Sequence, residues 1–510
     1  MRFNFFKPKT KATEADTLNY EGALAWKMDP KAELYAATVT ASLQNTFYQT
    51  AGARLERLQE LVAQNEPEFV AKLAVYARTK MNLRSVPLVL LVELAHRHRG
   101  DNLVSRAVAQ TLQRVDEITE LLAYYQLRNG RQGTKKLNRL SKQLQRGVAL
   151  AFNRFDAYQF AKYNRAAEVK LRDALFLVHP QPKDQRQQAV FHQIASNTLP
   201  TPYTWETELS ALGQQPFADK EARDQAFRAK WEELIDSGRL GYMALLRNLR
   251  NILEAQVSDA HIRKVCQTLA SPLAVQKAKQ LPFRFLAAYR EVKGLASADV
   301  SRVLSALEEA VQHSIRNLPG FSGEQKVVVA CDVSGSMQMP VSARSKVMLY
   351  DIGLLLGMLL QHKCERVISG MFGDTWKTIN LPKGQVLANV QELYRKAGEV
   401  GYSTNGFLVI KDLRQRKVKA DKIMLFTDCQ LWNSTGNNTS LAHEWKQYKA
   451  LYPCARLYLF DLAGHGTTPL SLEQDDVFLI SGWSDKVFEV LQAIENGGNA
   501  LAEVEKTEID

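Results

Sequence analysis

From about residue 15 to 318 the apolar positions recur at i, i+3, i+4 and i+7, the spacing of one face of an α-helix. The segments "RLERLQELVAQ", "PEFVAKLAVYARTK", "VPLVLLVELAHRHRG" and "LVSRAVAQTLQRVDEITELLAYY" all follow it, with short breaks such as "RSVP" and "HRGDN" between them. Helix, turn, helix repeated over this length predicts an α-solenoid of stacked helical repeats. A globular helical bundle is the alternative, because no clean internal period marks the repeats.

The pattern changes near "RNLPGFSGEQK", where Pro319, Gly320, Ser322 and Gly323 mark a linker. Beyond it, near-continuous apolar strands ("KVVVACDVS", "RVISGMFG", "DKIMLFTDC", "ARLYLFDL", "DDVFLIS") alternate with amphipathic helices ("GQVLANVQELYRKAG", "LAHEWKQYKAL", "SDKVFEVLQAIENG"). That alternation predicts an α/β domain with a doubly wound, mostly parallel sheet. The chain divides into a flexible N-terminus (1–15), a helical module (16–318), an α/β domain (325–495) and a frayed acidic tail (496–510).

Composition adds little until charge is split along the chain. Hydrophobic content of 45% and charged content of 24% are ordinary for a globular protein. The five cysteines form no CxxC pair or zinc-type spacing, and such usage fits a reducing cytosol. "MRFNFFKPKT" lacks the apolar core of a signal peptide. No apolar run approaches the ~20 residues of a membrane span, so a cytoplasmic protein without a membrane partner is expected. Of the net charge of +12, residues 1–325 hold 46 basic and 33 acidic residues, whereas residues 326–510 hold 20 and 21. All the positive excess lies in the helical part. It favours a polyanion partner there, nucleic acid before a merely solvated basic surface.

The α/β part carries the candidate chemistry. In such sheets ligands bind at the carboxyl ends of the strands. Three loops belong at that edge: "DVSGSM" with Asp332, Ser334 and Ser336, "GYSTNG" with Ser403 and Thr404, and "FTDCQ" with Thr427 and Asp428. A lone DxSxS is routine in turns and helix caps. Three such loops in order instead predict a cation site of hard oxygen ligands, Mg²⁺ first and Mn²⁺ or Ca²⁺ as alternatives. The set Asp332, Ser334, Ser336, Thr404, Asp428 resembles the metal-ion-dependent adhesion site (MIDAS) of von Willebrand factor A domains. The resemblance spans about residues 325–495 and implies one divalent cation with a position open to a carboxylate-bearing ligand. Ser403 is the alternative to Thr404.

In the helical part, "LQRGVALAFNRFDAYQFAKYNR", "VKLRDALFLVHPQP", "GYMALLRNLRNI" and "QLPFRFLAAYREVKG" resemble the TROVE module of Ro ribonucleoproteins, which precedes a von Willebrand A domain as here. The resemblance covers nearly the whole chain and implies a HEAT-like ring closed by the A domain. It also implies small noncoding RNA of the Y RNA type on the outer surface and single-stranded ends of misfolded RNA in the central hole. It further implies work with an exoribonuclease in RNA quality control, without cleavage by the protein itself.

The basic residues fit that reading. Arg128, Arg131, Lys135, Lys136, Arg139, Lys142 and Arg146 form a run without an acid, and their phosphate contacts would give salt-sensitive affinity; a solvated helix face is the plainer alternative. Lys162, Arg165, Lys170 and Arg172 lie close in sequence to His179. The resemblance places Lys162 and His179 on the Y RNA surface. Arg247, Arg250 and Arg284 are candidates for the hole or for packed ion pairs. Tyr124, Tyr125, Tyr158 and Tyr163 are candidates for base stacking or for the core.

Two rival classes remain: a metal-dependent hydrolase or nuclease, and a pure adhesion module. The sequence has no P-loop, HExxH or GxSxG. It lacks the denser acids that two-metal cleavage uses, so a binding protein is expected. The adhesion reading leaves the basic helical part unexplained.

Overall fold

A computed structural model describes residues 15–40, 51–130, 140–164, 167–280, 282–314, 324–341, 345–432, 440–472, 476–482, 486–496 and 499–510. The expected flexible stretch 1–15 (save residue 15) and the linker from Pro319 to Gly323 lie outside them. The chain forms two compact units: Met1–Arg54 with Asn317–Ala500, and Leu55–Arg316 with Leu501–Asp510.

The second unit is helical. Helices begin where a short acceptor side chain caps the free N–H groups. Asp184 Oδ1 accepts from Gln187 N–H at 2.7 Å and Asp219 Oδ1 from Ala222 N–H at 2.8 Å. Packing is staggered. Pro67–Thr79 packs on Ser85–Arg97 and on Leu103–Thr111, while Ser85–Arg97 packs on Val115–Arg128. Leu103–Thr111 continues onto Lys142–Phe152. Each helix thus meets its partner and the equivalent helix of the next pair, as stacked repeats require. At Gly147 the backbones nearly touch: a Cβ there would lie 2.6 Å from Val108 Cβ and 2.7 Å from Ser105 O.

The first unit holds the predicted α/β domain. Its strands are β1 (Thr17–Leu18), β2 (Leu24–Lys27), β3 (Lys326–Asp332), β4 (Arg366–Phe372), β5 (Trp376–Thr378), β6 (Lys422–Thr427), β7 (Arg456–Asp461), β8 (Thr467–Thr468) and β9 (Val477–Ser481). The main sheet runs β5-β4-β3-β6-β7-β9, parallel except for the edge strand β5. β3 and β6 are buried along almost their whole length, which explains their near-continuous apolar runs. The order reverses between β3 and β6, and the carboxyl ends of those two strands flank the crevice where such sheets bind ligands.

Two boundaries differ from the sequence expectation. Residues up to Arg54 group with the α/β domain and not with the helical module of 16–318. The cause is pairing remote in sequence: β1 pairs with β2, and β2 pairs antiparallel with β8 through Trp26–Thr468 and Lys27–Thr467. The helix Pro30–Val39 is buried in the same unit, and a Cβ at Gly464 (φ +66°) would sit 2.2 Å from Thr40 Oγ1. Nor is the acidic tail simply frayed. It forms the helix Ala500–Glu505. Beyond it, Arg106 donates to Ile509 O and Gln110 Nε2 to Glu508 O at 3.1 Å.

Candidate functional site

β3 delivers Asp332, fully buried, at its last position. The chain then turns sharply. Ser334 N–H donates back to Asp332 Oδ1 at 2.9 Å, and the Ser334 and Ser336 hydroxyls lie 3.3 Å apart. The serines therefore converge, as alternate positions of one loop can. Next to β3, β6 ends in Thr427, whose hydroxyl donates to Asp332 Oδ2 at 2.7 Å. Asp428 follows, 1% exposed, with Oδ1 accepting from Gln430 N–H at 3.0 Å. The second loop, "GYSTNG", is fastened by Gly335 N–H donating to Tyr402 O at 2.9 Å. It sets Thr404 in place, 5% exposed, with Oγ1 lacking a hydrogen-bond partner. Ser403 is exposed, and both its backbone N–H and its side chain hydrogen-bond Asp374.

Electrostatics show what the cluster lacks. Burial first, and then the charge of Asp428, pushes the Asp332 carboxyl up to about 7. Burial also raises Asp428. A cleft of about 290 Å³ adjoins Ser336, and among the described residues Glu21, Ser336, Tyr402, Thr404 and Trp432 line it with no Lys, Arg or His. Two buried carboxylates and an unpartnered buried hydroxyl fit a hard divalent cation, which would replace the missing positive charge. The donor set holds fewer than three carboxylates: among the described residues no three His, Cys, Asp or Glu side chains group as a metal site. Hydroxyls would have to complete the shell.

The helical unit has a second candidate surface. Lys162 Nζ lies 5.7 Å from the Tyr158 ring centre and 5.8 Å from that of Tyr163, and the Arg114 guanidinium lies 4.6 Å from Tyr163. Arg172 stands 5.6 Å over the exposed Phe176 ring. Lys142, Lys170 and His179 are also exposed. His179 closes the helix Leu171–Val178 in the left-handed conformation, φ +46°, its N–H bonded to Leu175 O. Lys135, Lys136 and Arg139 lie outside the described residues, as do Arg131 and Arg165.

Two tyrosines leave the list of stacking candidates. Tyr125 is buried and stacks on His96 with ring centres 5.4 Å apart. Tyr124 donates to the fully buried Glu93 at 2.6 Å. The arginine candidates divide. Arg250 pairs with Glu254 at 2.9 Å. Arg284 is crowded by neighbouring chain, and this desolvation, followed by the charges of Arg247 and Arg84, lowers its pKa. Arg84 is itself paired with Asp116 at 2.8 Å and lies near Glu117 and Glu120; it gave no sequence signal because it sits far away in the chain.

Residues 32–207 and 197–318 match the TROVE domain, and residues 326–494 match the Ro60 vWA domain. The chain belongs to the Ro family. A crystal structure of the Deinococcus radiodurans Ro (RSR) protein has a similar fold, with a TM-score of 0.58 at 18% identity, covering 92% of this chain and 100% of that one. Telomerase protein component 1 of Mus musculus is 25% identical over 313 residues, and that of Rattus norvegicus 26% over 316. Each match covers 46% of this chain but 11% and 12% of those proteins, so the chain spans a small part of their length. In this Ro protein Ser336 and Thr404 line one cleft, and Asp332, Ser334 and Asp428 are linked to Ser336 through hydrogen bonds. Sequence reading missed Glu21 in the cleft and the part Thr427 plays behind Asp332.

Proposed function

We propose that this Ro protein binds RNA through its helical unit. Small structured noncoding RNA of the Y RNA type would take the basic–aromatic face. Single-stranded ends of misfolded RNA would take the region of Arg247 and Arg284, with a nuclease partner removing or trimming them in the cytoplasm. One observation carries the reading: cations sit over aromatic rings in the unit that holds the charge excess. Lys162 with Tyr158 and Tyr163, and Arg172 with Phe176, combine phosphate neutralisation with stacking faces. Five cysteines without a disulfide support a reducing compartment.

The α/β unit is read as a cation-dependent docking site and not a catalytic one. Asp332, Ser334, Ser336, Thr404 and Asp428 would hold one Mg²⁺, directly or through water. The cation would supply a position for an acidic group. Thr427 holds the Asp332 carboxylate at its oxygen, the Asp428–Gln430 turn fixes the second carboxylate, and the crevice limits water. Among the described residues no group of three His, Cys, Asp or Glu side chains forms there, so hydrolysis is the weaker reading. The test is to purify the protein from its host and sequence the accompanying RNA. Enrichment of a structured small RNA is expected; recovery of only bulk cellular RNA contradicts the proposal.

A further inference from the structure

Thr404, whose buried hydroxyl has no partner, is flanked by two aromatic residues of the same compact unit. Tyr402 stands two positions before it, and Trp432 N–H donates to Thr404 O at 3.0 Å. Both line the cleft of about 290 Å³ beside Ser336. Both stay exposed, Tyr402 by 53% and Trp432 by 37%. Their backbones are fixed from behind. The Asp374 carboxylate accepts from the N–H groups of Tyr402 and Ser403, the second at 2.9 Å. Gly401, at φ +76°, brings the chain so close over Asp374 that a Cβ would lie 2.1 Å from Oδ2. On the other side, Leu431 is buried in the core, and its carbonyl accepts from Asn19 Nδ2 of the β1–β2 hairpin at 2.8 Å.

The bonds at residues 402 and 432 use main-chain atoms, so loop geometry calls for an aromatic side chain at neither. Exposed Tyr and Trp beside one cleft are instead the residue types on which interfaces concentrate their binding energy. We propose that Tyr402 and Trp432 are the specificity-determining residues of the docking site, taking the apolar side chain that adjoins the carboxylate residue of a protein ligand. The site then selects an acidic residue next to an aromatic or aliphatic one, as an exposed segment of a partner offers. The inference rests on the reading of this region as a cation-dependent docking site and names the ligand class which that reading leaves open. Charge chooses a peptide over RNA. Among the described residues the cleft lining has the acid Glu21 and no Lys, Arg or His, and residues 326–510 hold 20 basic against 21 acidic residues. One carboxylate needs only the cation as its counter-charge, whereas a run of phosphates needs a basic track.

Calorimetric titration of the Mn²⁺-loaded full chain with two blocked synthetic tetrapeptides tests this, one carrying Asp followed by Phe and the other Asp followed by Gly. The Asp–Phe peptide is expected to bind on the order of tenfold more tightly, the scale of one hot-spot contact. Tyr402→Ala and Trp432→Ala should each remove most of that preference, while Mn²⁺ affinity, read by electron paramagnetic resonance, stays unchanged. Trp432→Phe, which keeps an aromatic ring, should retain it. Chelation of the metal should abolish binding of both peptides. Equal affinity for the two peptides, binding of neither, or a preference that survives both alanine variants, with Asp332-dependent Mn²⁺ binding intact, overturns the role of Tyr402 and Trp432 alone. Tighter binding of uridine monophosphate than of either peptide assigns the cleft to a nucleotide and overturns it as well. A wild type without Asp332-dependent Mn²⁺ binding overturns the cation reading and this inference with it.

Discussion

The Thr427 hydroxyl donates to Asp332 Oδ2 at 2.7 Å, linking the carboxyl ends of two adjacent parallel strands. Thr427 Oγ1 also accepts from Cys429 N–H at 3.2 Å, so this one oxygen orients both the first loop and the third. Thr427→Val keeps the volume and removes both bonds. Mn²⁺ affinity is expected to fall by roughly 10–100-fold, as when groups behind a metal ligand are lost. Stability should drop by about 1–3 kcal/mol for the stranded polar groups. Paramagnetic titration and thermal unfolding measure the two effects.

Acidity gives a signed prediction. The Asp332 carboxyl is raised from 3.8 to about 7 by burial and by Asp428. An acid whose folded pKa is raised favours the folded state while protonated. That contribution is complete below the unfolded value and is lost as pH rises towards the folded one. Metal-free protein should therefore lose melting temperature between about pH 4 and 7, and Asp332→Asn should flatten that slope. Added Mg²⁺ should restore stability mainly at the upper end, where the carboxylates ionise. Melting curves across pH, with chelator and with Mg²⁺, decide it.

On the helical unit, Lys162→Glu with Arg172→Glu should weaken RNA binding with little loss of melting temperature, because Arg172 is exposed and Lys162 is no more than half-buried. The slope of log affinity against log salt should become shallower by about one for each phosphate contact removed. Tyr158→Ala should instead cost about 1–3 kcal/mol with little change in slope, if its exposed ring stacks a base. Filter binding at several salt concentrations separates these outcomes.

Gly464→Ala tests why the first 54 residues belong with the α/β unit. A Cβ there would meet Thr40 Oγ1 at 2.2 Å and Ala36 O at 2.8 Å, at a φ of +66°. Overpacking of this kind costs roughly 1–3 kcal/mol, and the strained φ adds to it. The expected result is faster proteolysis at residues 28–40 and a lower melting temperature.

Much of this was legible in the sequence, and the reason is locality. Val327 to Ala330 and Lys422 to Phe426 show their burial directly as apolar runs, and DxSxS declares itself in five residues. The succession of helices is equally local. What escaped was remote pairing. Leu18 and Leu24 are exposed, so the hairpin shows no buried face in sequence. β1 has two residues and β2 four, and β2 finds its partner at Thr467–Thr468 at the other end of the chain. Glu21 looked like any turn acid for that reason. Arg84 and Arg284 share a field only because helices far apart in sequence stack together. The tail likewise reads as solvated until Arg106 and Gln110 reach its carbonyls.

Ultraviolet crosslinking of the protein to its own RNA in the host, followed by peptide mapping, bears most directly on the central claim. Crosslinked peptides are predicted within residues 157–179, at Tyr158, Tyr163 or Phe176. Crosslinks confined to residues 326–494, or none at all, would contradict RNA binding by the helical unit.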